Sequence, residues 1–207
     1  LIIGFDTEYV SKSINDDDFE NELLSYQWCC QVISSDGNES DEWSGLVLPN
    51  GPKVSDRLKI QEFVELAISE GLKKDKKLKI PRDIYLVAHF TRSDIPGFQD
   101  FKGDEGKEIL NLSNIRNTFV SMRKDVDIKL NDDIEVRLKV RDTITLTSAN
   151  SKSLDDLGKM LGVPKLELSK EQISNMRVVL EEEPELFEDY GIRDCEICLK
   201  YTVLMMY

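Results

Sequence analysis

The chain opens on an unbroken apolar run, Leu1-Ile-Ile-Gly-Phe5, that meets two carboxylates, Asp6 and Glu8, separated by Thr7. A short run rich in β-branched residues predicts a strand buried on both faces, and such strands occupy the middle of a sheet covered by helices. Side chains alternate along a strand, so Asp6 and Glu8 share one face. Carboxylates at that spacing repel each other, and the end of a core strand solvates ions poorly. A cation between them removes both penalties. A carboxylate pair at a solvated strand end would carry the same spelling.

The rest of the chain fits an α/β pattern. Further strands are expected over 23–34 and 43–48, with Asp36-Gly37 as a hairpin signal between them. From Ser55 the apolar spacing becomes helical through Leu58, Phe63, Val64, Ala67 and Leu72, with Ser55 as cap and Gly71 as stop. Ile84-Tyr-Leu-Val-Ala88 is a second fully apolar strand. The acidic stretch 15–22 and the polar stretch 99–107 read as loops. Val126-Asp-Ile-Lys-Leu130 and Ile134-Glu-Val-Arg-Leu-Lys-Val140 flank Asn131-Asp-Asp133 and predict a β-hairpin inserted around 115–140. Ser153 should cap a short helix that stops at Gly162, and Pro184 should start the last helix.

A length of 207 residues suits a single domain spanning 1–207, and the absence of an initiator Met suggests a piece of a longer protein. The net charge of −13 argues against a protein that coats nucleic acid at large. The lysine-rich stretch 73–79 is either a solvated linker or a local phosphate contact. No apolar run approaches the roughly 20 residues of a membrane helix. Cys195 and Cys198 spell C-x-x-C, which allows a zinc or redox reading. The competing reading makes them small apolar residues on the inner face of the last helix, in a reducing, cytoplasmic setting.

Two further acids complete a pattern. Asp94 follows the second apolar strand, where the ends of neighbouring strands build sites in open α/β sheets, although Asp is also a favoured helix N-cap. Tyr190 and Asp194 lie four apart and share one helix face. The set Phe5-Asp6-Thr7-Glu8, His89 through Asp94, and Tyr190 through Asp194 resembles the DEDD (DnaQ-like) 3′–5′ exonuclease superfamily in its tyrosine subtype, on an RNase H-like fold. Arg141-Asp-Thr and Lys152-Ser-Leu-Asp-Asp-Leu-Gly resemble the stretch before the third motif in proofreading domains of family B DNA polymerases, the protein-primed phage and plasmid type above all. The position of the histidine subtype's base is occupied by Asp189, and the sole histidine is His89. Residues 111–140 have no clear counterpart in the family.

The resemblance implies that Asp6, Glu8, Asp94 and Asp194 hold two Mg²⁺ or Mn²⁺ ions, with Asp6 between them and Tyr190 orienting the attacking water. It implies a single-stranded nucleic acid as partner, DNA rather than RNA, cut at its 3′ end to nucleoside 5′-monophosphates, and a polymerase domain further along the chain. Phe5, Thr7, His89, Phe90 and Lys165 are the substrate-contact candidates, with capping and core packing as alternatives for His89 and Phe90. A stand-alone exoribonuclease or defence nuclease, and an RNase H-like module without chemistry, share much of this pattern.

Overall fold

The computed structural model describes residues 1–13, 19–34, 36–101, 112–115, 119–122, 125–130, 134–147 and 153–206. The acidic residues 15–18, the Asn131-Asp-Asp133 turn, residues 102–107 of the polar stretch, and Lys152 lie outside that set.

Six strands form one mixed sheet: β1 (Ile2–Ser13), β2 (Phe19–Gln31), β3 (Trp43–Val47), β4 (Asp83–Ala88), β7 (Val126–Leu130) and β8 (Ile134–Asp142). Their order is β3-β2-β1-β4-β8-β7, while β5 (Leu112–Ile115) and β6 (Phe119–Met122) pair separately. β1 runs antiparallel to β2 and parallel to β4. With helices on both faces, this is an α/β architecture consistent with the RNase H-like fold. The runs at 126–130 and 134–140 do pair with each other, but β8 also bonds parallel to β4, so this hairpin completes the central sheet.

Period-two alternation sorts β1 between two cores. Ile3 and Phe5 point to one face, where Phe5, Tyr26, Phe63 and Phe98 pack ring against ring at 5.2–6.0 Å beneath α1 (Ile60–Lys74). Ile2 points to the other, where Cys29 and Val87 meet Cys195 and Leu199 of the last helix, α6 (Pro184–Met206). Each large apolar side chain so buried contributes about 1.5–3 kcal/mol.

Two helix-boundary expectations shift. Ser55 lies in a separate 3-10 turn (Val54–Asp56), and α1 begins at Ile60, where the Lys59 N–H donates to Glu62 at 2.8 Å. Gly71 does not stop α1; the Trp43 indole lies across it and donates to the Ala67 carbonyl at 2.7 Å. The other expected ends hold. Ser153 accepts from Asp156 N–H and caps α3 (Leu154–Leu161), Gly162 ends it at φ 73°, and Pro184 opens α6. Between α3 and α6 lie α4 (Lys170–Ser174) and α5 (Met176–Glu182), and α2 (Thr91–Asp94) follows β4.

α6 rides flush on β1 because Gly4 lacks a side chain; a Cβ there would overlap the Cys195 carbonyl. Since both partners are backbone, neither can yield locally. Gly4→Ala is expected to destabilise the domain by about 3 kcal/mol or more, read as a fall in melting temperature of roughly 6–12 °C.

Candidate active site

β1 does not end with the two acids, as the sequence suggested, but runs on to Ser13. It continues through Asp6, Thr7 and Glu8, and the register slips between Glu8 and Tyr9, leaving Leu24 of β2 as the extra residue. Bulges of this kind re-aim side chains beside functional sites. Asp6 and Glu8 therefore sit within the strand, opposite Gln27 and Ser25, on the face covered by α6. Gln27 is locked there, donating to Ser25 at 2.6 Å beneath Gly191 of α6.

Asp94 arrives from the next strand over. It closes α2, is 3% exposed, and accepts from the Thr7 hydroxyl at 2.7 Å. It stands at the N-cap position of a 3-10 turn, Ile95–Gly97, but its side chain makes no cap bond there. Asp142, at the end of β8, does make such a bond, and its carboxylate receives the Phe90, Thr91 and Ile144 N–H groups. Asp194 descends from α6 and is 4% exposed.

The charges of Glu8, Asp94 and Asp194 all bear on Asp6. Burial first, then Asp94, Glu8 and Asp194 in that order, push the Asp6 carboxyl far above the usual range, and only Lys165 opposes them. Glu8 is raised to about 8, by burial and then by Asp194. Asp94 is raised to about 7 by burial, against the bonds it accepts from Thr7. Asp194 is also raised by burial, against Lys165.

Lys165 is the cation of the site. Its Nζ lies 2.5 Å from Asp194 Oδ2 and 5.0 Å from the centre of the Tyr190 ring. Burial raises the Tyr190 phenol above its ordinary range, so it stays protonated and can donate. A cleft of about 250 Å³ opens here, lined by Lys165, Tyr190, Leu166 and Leu168 among others. The remaining candidates divide. Thr7 braces Asp94, and His89 Nδ1 pairs with Thr143 Oγ1 at 2.9 Å. Phe90 is half-buried, and its N–H donates to Asp142 at 3.0 Å. Phe5 is fully buried in the aromatic core, on the face away from Asp6, so its ring does not line the cleft. Asp142 was missed as a functional residue. The sequence marks it only as part of a turn, because its bonds run to residues more than fifty positions away.

The donor set suits a hard divalent cation: carboxylate oxygens of a kind Mg²⁺ prefers, including the buried Asp194 Oδ1, which has no partner. Among the described residues, no three acid, imidazole or thiol groups stand together as a finished coordination cage. Lys165 holds one Asp194 oxygen and Thr7 holds one of Asp94, so loading an ion requires these contacts to rearrange. The C-x-x-C reading finds no support here. Cys195 and Cys198 are free, fully buried thiols, with burial pushing both well above their ordinary range.

The fold and this acid cluster define an α/β domain of RNase H-like architecture with a concentrated anionic site. No protein-family model matches the chain. It is similar to the primer-independent DNA polymerase PolB of Escherichia coli, 31% identical over 223 residues, an overlap covering 98% of this chain and 24% of the polymerase. The chain therefore spans about a quarter of that relative's length. Among the described residues, no helix is long and apolar enough to cross a membrane.

The raised carboxyls give stability a definite pH dependence. Their contribution is present below the ordinary carboxylate range and is lost as pH rises through about 7 for Asp94 and about 8 for Glu8. Metal-free protein should thus melt at progressively lower temperature from pH 5 to pH 8.5. Asp6→Asn should flatten that slope and melt above the unaltered protein at pH 8.5, as read by differential scanning calorimetry.

Proposed function

We propose that this domain is a metal-dependent 3′–5′ exonuclease of the DEDD type, acting on single-stranded DNA in the service of a DNA polymerase within the same longer chain. One observation carries the reading. Asp6 lies within reach of the charges of Glu8, Asp94 and Asp194, which come from its own strand, the turn after β4, and α6. Such expense in charge repulsion has no structural return, and strongly perturbed carboxylates with specific charge partners are functional-site candidates. The relation to a segment of a DNA polymerase supports DNA as the substrate class.

Asp6, Glu8, Asp94 and Asp194 would hold two Mg²⁺ or Mn²⁺ ions, with Asp6 shared. When bound, such ions supply Lewis-acid stabilisation of charge on the attacking and leaving oxygens of a phosphodiester. Tyr190 keeps its proton and donates a hydrogen bond that orients the attacking water. Lys165, once released from Asp194, presents its ammonium to the scissile phosphate. Thr7 fixes Asp94, while His89 and Phe90 border the path of the strand. The products are nucleoside 5′-monophosphates. The charge of −13 opposes DNA at long range, so the polymerase portion delivers the strand.

Asp6→Ala and Asp194→Ala should abolish Mg²⁺-dependent digestion of a 5′-labelled oligodeoxynucleotide. Each should also lose the rise in melting temperature that Mn²⁺ gives the unaltered domain. Retained digestion in either variant would show the site to be assigned wrongly. Tyr190→Phe should slow turnover roughly a hundredfold while keeping the Mn²⁺-induced thermal shift.

A further inference from the structure

Phe90 is the one non-glycine residue at positive φ among the described residues, with φ 70° and ψ 54°. A bulky L-residue is strained there because its Cβ crowds the following carbonyl. Such strain persists only where surrounding bonds enforce it, and it gathers at functional sites. Asp142 supplies the enforcement. It is 2% exposed, and its Oδ1 accepts from the Phe90 and Ile144 N–H groups, each at 3.0 Å. Its Oδ2 accepts from the Thr91 N–H and hydroxyl, each at 2.9 Å. One carboxylate thus pins the turn after β4 to the turn after β8.

The described apolar clusters do not account for the strained residue. The Phe90 ring is half-buried, belongs to none of the apolar clusters, and pairs with no other ring among the described residues. It stands four residues before Asp94, in the turn that joins β4 to α2.

We propose that Asp142 is a positioning residue that holds Phe90 in the left-handed conformation, so that its ring forms a stacking platform for a base of the single-stranded substrate. This rests on the exonuclease reading above. Stacking uses the π-face that every base has, which suits an enzyme that must accept any terminal nucleotide.

The test combines steady-state digestion of a 5′-labelled oligothymidylate in Mg²⁺ with thermal melting of each variant. Phe90→Ala and Phe90→Gly should raise KM roughly tenfold with kcat nearly unchanged, and Phe90→Tyr, which keeps an aromatic face, should raise KM far less than Phe90→Ala. Phe90→Gly should melt about 3 °C above Phe90→Ala, the reverse of their order at ordinary backbone angles. Asp142→Asn should raise KM when Phe90 is present but add nothing in the Phe90→Gly background. If Asp142→Asn alone does not fold, combining it with Phe90→Gly should restore folding, since glycine needs no clamp.

An unchanged KM in Phe90→Ala would overturn the platform and leave the exonuclease reading standing. Phe90→Ala melting above Phe90→Gly would remove the strain. Additive KM effects, or a double variant that stays unfolded, would show that Asp142 does not act through Phe90. Absence of digestion by the unaltered domain would bring down this proposal together with the exonuclease reading.

Discussion

Repulsion among Asp6, Glu8, Asp94 and Asp194 is the force that the remainder of the domain is arranged to withstand. Burial raises all four, and Glu8, Asp94 and Asp194 each make Asp6 harder to ionise. No bond within the cluster repays this. The restraint comes from outside it: an aromatic core anchors one face of β1, and α6 clasps the other where Gly4 lets helix and strand backbones touch. The acids are carried to one place by elements that have independent reasons to be there.

Lys165 shows how such a site is kept tolerable. Its ammonium relieves Asp194 directly and Asp6 at longer range, and it rests over the Tyr190 ring. It is a tethered cation, able to neutralise but unable to bridge several carboxylates as a divalent ion does. The site therefore holds a partial solution to its own charge, and the orphaned Asp194 Oδ1 marks where that solution is incomplete.

Much of this was legible in the sequence, for physical reasons. The apolar runs at 1–5 and 84–88 declared central strands because only burial on both faces tolerates such spelling, and they lie side by side. The i, i+4 spacing of Tyr190 and Asp194 placed them on one helix face, and Pro184 marked that helix's start. The failures were of range. The 126–130 and 134–140 runs announced a hairpin, but nothing local says that one of its strands continues the main sheet. β1 looked finished at its two acids, because its apolar pattern stops there, although the backbone ladder runs on to Ser13. Phe5 was weighed as a ligand contact from its position in a motif, and strand alternation sends its ring to the opposite core. The bonds from Phe90 and Thr91 to Asp142 span more than fifty positions, which no window of sequence contains.

Alternation along β1 also guards the fold against its nearest competitor. Sliding the strand by one residue would drive Asp6 and Glu8 into the nest of aromatic rings and lift Ile3 and Phe5 out toward α6. Mispaired sheets that cost an ordinary protein a few lost contacts would here bury bare charge in hydrocarbon. The acids that make the correct structure expensive make the nearest wrong one far more so, and pairing fidelity comes built into the first nine residues.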